Sequence, residues 1–260
     1  MTAKGSVSDQ TSRSADAPTA PRGFGVSGPL LSIAMPFFNA ERFIGEAVRS
    51  VLAQSFTEWE LLLVDDGSED NSEVVASTVA GSDSRIRMYR QLHQGVSASR
   101  NLALREARAP FVASLDADDW ANPHWLERMM AFMWEHRDCI ALGCRILSVD
   151  VDGDPIYHER QSCCHKEIEE SLLRGCGGIV NSGSIIRRQA ALSVGGYNEC
   201  LETCEDVDLF LKLGERGRLA NLREHLVQVR RNFQSVCWRE ISNHGLRKER
   251  VVGDAYRRRG

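Results

Sequence analysis

The sequence predicts an α/β fold: a mostly parallel, open sheet with helices on both faces, Rossmann-like in layout. Short apolar runs of strand length alternate with segments whose apolar residues recur at helical spacing. Several of the runs end abruptly in acidic residues. At 260 residues the chain can bury one large core of this kind.

Leu30 to Met35 reads as a first buried strand, stopped by Pro36. Asn39 then stands where a helix N-cap belongs. Ala40 to Gln54 carries Ile44, Ala47, Val48, Val51 and Leu52 as one helical stripe. Trp59 to Val64 is a second strand, ended by Asp65-Asp66-Gly67-Ser68. Asp70 to Ala80 is a weaker helix, Ile86 to Arg90 a third strand, and Ser97 to Ala107 a helix. Phe111 to Leu115 is a strand of the fully buried type that runs into Asp116, Asp118 and Asp119. Pro123, at an N1 position, opens a helix to about His136. Beyond Leu147 the pattern loosens. Ser148 to Ile156 is a turn region whose acids lack the distal glutamate of a calcium loop. Ile179 to Arg187 reads as a strand carrying Asn181 and Ser182. Gln189 to Val194 is a short helix closed by Gly195-Gly196. A further helix starts at Glu205-Asp206 and turns Val207, Phe210 and Leu211 to the core.

In open α/β sheets, ligands bind outside the carboxyl ends of the strands, where the strand order reverses. Pro36-Phe37, Asp65-Asp66 and Asp116-Asp118 all fall on that edge, which predicts one shared pocket. Acids this close repel by about 1 kcal/mol per pair at about 4 Å even in water. A bound cation would relieve that repulsion, and a few hard oxygen ligands completed by substrate phosphates suit Mg²⁺ or Mn²⁺. Asp65 or Asp66 could cap the next helix or accept a hydrogen bond from a nucleobase or ribose. Arg100 could be a surface charge or a nucleotide contact. No Walker loop is present, and no G-x-G-x-x-G follows a predicted strand and opens a helix, so metal and side chains must hold any phosphates. A second acidic knot holds Glu199, Glu202, Glu205, Asp206 and Asp208. Acids at a helix start are favoured by the helix dipole. A carboxylate near the sugar end of a donor would instead serve as general base, worth about 10²–10⁴-fold.

A net charge of −4 and a pI near 6.0 give no overall pull toward nucleic acid. No apolar run approaches the ~20 residues that span a bilayer. Residues 1–28 lack an apolar core and are expected to form a disordered tail, neither signal nor anchor. The eight cysteines are expected to be reduced thiols of a cytoplasmic protein. Cys163-Cys164-His165 with Cys176 has no zinc-site spacing. Residues 239–260 are rich in Arg and Lys and read as a solvated helix and tail, or as a segment leaning on the inner, anionic face of a membrane.

Six blocks carry a resemblance: L-S-I-A-M-P-F-F-N-A-E, L-L-L-V-D-D-G-S, G-V-S-A-S-R-N, F-V-A-S-L-D-A-D-D, G-G-Y-N-E and C-E-D-V-D-L-F-L-K-L. In this order they resemble the signature blocks of family 2 glycosyltransferases with the GT-A fold. The resemblance implies a single catalytic domain over 29–238, nucleotide-binding to about 120 and acceptor-binding beyond. It implies a nucleotide-diphosphate-sugar donor, a uridine diphosphate sugar by family frequency, a divalent metal, and inversion at the anomeric carbon. It places Pro36 and Phe38 beside the base, Asp66 on it, Arg100 in support of the nucleotide and Asp116 at the ribose. Asp118 would hold the metal, and Asp206, beside Glu205, would take the proton from a glycan or lipid-linked acceptor. Val229-Arg230-Arg231-Asn232 departs from the family's aromatic-Arg-x-His run, so a histidine metal ligand is missing there. Gln234 to Trp238 nearly reproduces a processive-synthase motif but lacks its arginine, which favours the addition of one sugar. The competing reading is a non-catalytic nucleotide-binding protein on the same fold.

Overall fold

The computed structural model describes residues 28–175, 177–231 and 241–260. The expected amino-terminal tail up to residue 27, Cys176, Asn232 and the Gln234–Trp238 motif lie outside the described residues. Four parallel strands form one half of the sheet: β1 (Leu31–Phe37), β2 (Trp59–Asp65), β3 (Ile86–Arg90) and β4 (Phe111–Ser114). The other half holds β5 (Trp120–Ala121), β6 (Cys139–Val149), β7 (Pro155–His158), β8 (Ile185–Arg187) and β9 (Arg218–Arg230). The strand order is β3-β2-β1-β4-β8-β6-β9-β5, with β7 paired to β6. β8 runs antiparallel to both β4 and β6, so β6 and its parallel neighbour β9 end on the same edge as β4. Order reverses at β1/β4, and the crevice opens outside their carboxyl ends.

Side chains alternate across the sheet, and both faces are covered. Leu31, Ile33, Met35, Leu61, Leu63 and Phe111 meet the helices α1 (Ile44–Leu52), α2 (Ser72–Ala80) and α4 (Trp125–Glu135). Ala34, Leu62, Val64 and Val112 meet α3 (Val96–Glu106), α5 (His165–Leu173), α6 (Arg188–Ser193), α7 (Glu205–Gly214) and α8 (Ile241–Arg259). Continuous apolar strands follow from burial on both sides.

Four sequence expectations are corrected. Pro36 does not stop β1: it pairs with Val64 inside the strand. Its missing N–H points toward β4, whose pairing with β1 has already ended at Ser114, so no ladder bond is lost. Asn39 is no N-cap. It sits at φ 49°, its N–H donates to Ser68 Oγ (3.0 Å), and its Oδ1 accepts from Glu69 N (2.9 Å). The strand expected over 179–187 is formed only at Ile185–Arg187, because Asn181 to Ser184 make a turn. Pro123 lies outside α4, which begins at Trp125 after His124. The basic C-terminal segment is also more than a solvated tail. Val251 and Ala255 are buried, while Arg258 and Arg259 meet Glu215 and Glu169. Among the described residues no helix is long and apolar enough to cross a membrane.

Candidate active site

The first wall of the crevice is the loop after β2. Asp65 is fully buried, and its Oδ1 accepts from Ser68 N at 2.8 Å, so it shapes the turn and has no surface for a ligand. Asp66 gathers the β3–α3 loop. Its Oδ1 accepts from Gln91 Nε2 (2.6 Å) and Gln94 N (3.0 Å), and its Oδ2 from Gly95 N (2.8 Å), with His93 Nδ1 at 2.9 Å. Gly67 must be glycine: at φ 79°, a Cβ would stand 3.0 Å from His93 N. This folding brings His93 onto the ring of Phe38, centroids 4.1 Å apart, and Phe38 remains 42% exposed. The sequence reading missed His93 because no pattern in its own segment marks it.

The second wall is the loop after β4. Asp119 is buried, and its Oδ1 accepts from Arg230 N at 2.8 Å. Arg230 also donates to the Asp118 carbonyl (2.9 Å), the Val151 carbonyl (2.7 Å) and Glu46 Oε2 (2.7 Å). Of the three acids, then, Asp119 pins the loop to β9 and leaves Asp116 and Asp118 to the crevice. Burial and the Asp116 charge push the Asp118 carboxyl up to about 6.

Arg100, near the start of α3, joins this wall to the third. Its Nη2 donates to Asp116 Oδ1 at 2.7 Å, and its Nη1 donates to Glu205 Oε1 at the start of α7. With the Asn181 amide oriented to match its neighbours, Nη2 and Nε also donate to Asn181 Oδ1 (3.1 and 3.2 Å), and Asn181 Nδ2 donates to Tyr197 Oη (3.0 Å). Asn101 locks the following loop, donating to the Tyr197 carbonyl and accepting from Tyr197 N. Gly196 is needed here, since a Cβ would lie 2.5 Å from Asn101 Oδ1. The guanidinium is 5% exposed and shared between two carboxylates, which raises its pKa despite burial. Asp206 is half-buried beside this pair, its Oδ1 accepting from Val207 N at 2.8 Å, and burial raises its pKa. Asp116, Asp118, Glu205 and Asp206, read from separate segments, are thus brought to one place through Arg100.

One guanidinium cannot neutralise this many acids. Burial and the Asp206 charge push Glu205 from an ordinary 4.5 up to about 7, although Arg100 pulls the other way. The folded chain therefore keeps a proton that the unfolded chain has released. Stability in chelator is expected to fall as pH rises through that window, by about 1 kcal/mol per pH unit. Urea midpoints at pH 5 and pH 7.5 measure this, and Glu205→Gln is expected to flatten the slope. A midpoint that climbs with pH would contradict it.

A family model described as glycosyl transferase family 2 matches residues 32–195, the span holding both walls and Arg100. The chain belongs to this family. A relative in Bacillus subtilis (strain 168), named as the teichuronic acid biosynthesis glycosyltransferase TuaG, is 33% identical over 207 residues, covering 78% of this chain and 79% of TuaG. Among solved structures, residues 1–349 of S. aureus TarS in complex with UDP superpose with a TM-score of 0.68 at 20% identity, over 86% of this chain and 64% of that one. Mannosyltransferase PcManGT from Pyrobaculum calidifontis, in complex with GDP-Man and Mn²⁺, gives 0.64 at 15% identity, over 85% and 63%. At these identities the two structures speak for the GT-A fold alone. The family 2 chain spans just under two thirds of their lengths.

Proposed function

We propose that this family 2 glycosyltransferase moves one sugar from a nucleoside-diphosphate sugar to an acceptor hydroxyl with inversion, in the synthesis of a surface polysaccharide or glycoconjugate. The observation that carries the reading is the Arg100 bridge, which puts the acidic loop after β4 and the start of α7 on one crevice. TuaG's name and the UDP and GDP-Man in the two neighbouring structures support the donor and product classes.

In this reading the base lies by the exposed ring of Phe38, with buried Pro36 behind it. Asp66 holds the loop that carries His93, and Asp116 meets the ribose. The donor set fits a divalent metal. Asp118 presents hard carboxylate oxygens that accept no hydrogen bond from another described residue, and its raised pKa marks charge that a cation would relieve. Among the described residues no three His, Cys, Asp or Glu side chains could together hold a metal, so Asp118, with Asp116 beside it, would share the ion with diphosphate oxygens and water. Mn²⁺ or Mg²⁺ there would act as Lewis acid on the leaving diphosphate. Asp206 takes the acceptor hydroxyl's proton. The oxygen attacks C1 on the face opposite the diphosphate, the new C–O bond forms as the old one breaks, and the configuration inverts. Glu205 holds Arg100 and so fixes where Asp206 stands.

Thermal-shift measurements over a panel of nucleoside diphosphates, with and without Mn²⁺, test this. One base is expected to stabilise the protein strongly only with metal, by about 2.7 kcal/mol at a hundredfold excess over Kd. Nucleotide shifts indifferent to Mn²⁺ would remove Asp118 from its role.

Cation binding must also displace the Asp118 proton. Mn²⁺ affinity is therefore expected to drop about tenfold per pH unit below about 6 and to level off above it. Calorimetric titrations at pH 5, 6 and 7.5 read this directly. Equal affinities at all three would show that Asp118 is not a ligand.

A further inference from the structure

Away from the crevice, Arg87, Arg231, Arg258 and Arg259 each meet a carboxylate. Arg145, Arg160 and Arg223 meet none among the described residues, and all three line one cavity of about 570 Å³. Its only acidic lining residue, Glu167, accepts from Ser162 Oγ. Arg145 Nε and Gln161 Oε1, on two of the lining residues, are buried without a hydrogen-bond partner among the described residues. Three guanidinium groups thus share one cavity without a carboxylate partner, and an oxyanion would balance them.

The backbone builds this arrangement on purpose-shaped strands. Cys144 pairs with Leu222, but the next residue, Arg145, pairs with His225, so Arg223 and Glu224 bulge from β9 opposite that step. Bulges re-aim side chains and recur beside binding sites. Arg145 also lies four residues before Val149, whose partner is Arg230, the residue that grips the Asp118 loop. That separation is about 13 Å along the strand, within reach of an oligosaccharide that ends in the crevice. In a smaller cavity of about 270 Å³ beside Trp59, at the opposite edge of the sheet, two of the three arginines, Arg85 and Arg87, are paired with Asp83 and Glu60.

We propose that the Arg145–Arg160–Arg223 cavity is an acceptor subsite for a sugar unit bearing an oxyanion, a carboxylate or a phosphate. It rests on the reading of the chain as a transferase with a glycan acceptor, and it assigns that acceptor a negative charge one short oligosaccharide away from the reacting hydroxyl.

Calorimetry on the full chain, in chelator and without nucleotide, tests the subsite apart from the transfer chemistry. The probes are a galacturonic acid tetramer, maltotetraose, maltotetraose carrying one phosphate, and inorganic phosphate. At least one charged tetramer is expected to bind about tenfold or more tighter than maltotetraose, and which one does so identifies the anion. Arg145→Gln and Arg223→Gln are each expected to lower that affinity about tenfold, and Arg223 is exposed, so its variant tests the site without a folding question. Equal binding of charged and neutral tetramers, unchanged binding by both variants, or inorganic phosphate binding as tightly as the charged tetramers would each overturn the proposal. Failure of the nucleotide panel with these results intact would instead strike the transfer reading.

Discussion

Asp206→Asn is expected to lower transfer turnover by about 10²–10⁴-fold while the affinity for donor and metal stays within about twofold. Asparagine keeps the shape and can still accept the Val207 N–H bond, so α7 starts as before. What it loses is the capacity to receive a proton. The folded environment suits that task, since burial raises Asp206 above the ordinary aspartate value and makes it a stronger base than an exposed carboxylate. Initial rates with saturating acceptor, beside calorimetric donor titrations, separate the two effects. Loss of donor binding with intact turnover per bound donor would mean that Asp206 serves the nucleotide and not the proton.

Arg100→Met is expected to cost about 3 kcal/mol of stability, because it leaves the buried Glu205 and the partly exposed Asp116 with no cation between them. Urea denaturation gives the number. Arg100→Lys is expected to recover only part of it, since a single ammonium cannot span both carboxylates and Asn181 as the planar fork does. Adding Glu205→Gln to Arg100→Met is expected to restore more, and a double-mutant cycle over the two sites measures the coupling. A change confined to nucleotide affinity, with stability intact, would return Arg100 to the role of a direct nucleotide contact.

The amino-terminal half was legible because β1, β2 and β4 are buried on both faces. Leu61 to Val64 alternate between two covered sides and so form one apolar run, and each run stops at the residues that leave the sheet for the crevice. The second half hid for a related reason. β6 and β9 change register at several points, including the step beside Arg145, and a broken register scrambles the alternation that identifies a strand. Single-residue errors had local causes of the same kind. Asn39 looks like a cap until Ser68, 29 positions away, takes its N–H. The acids and Arg100 were each singled out in the sequence, but the bridge between them was not: Glu205 stands 105 positions from Arg100. Arg230, which keeps the arginine of the family run where the aromatic and the histidine are lost, proves to be the residue that braces the Asp118 loop.

The docking of α8 bears on where this enzyme can be cut. Arg258 and Arg259 clasp Glu215 at the far end of α7, whose near end carries Asp206, and Val251 and Ala255 wedge into the same layer. The family match stops at residue 195, ten positions short of α7. A gene trimmed to that match would omit Asp206, and one trimmed at residue 240 would keep it on a helix released at its other end. Anchoring α7 at both ends therefore takes the chain through Arg259.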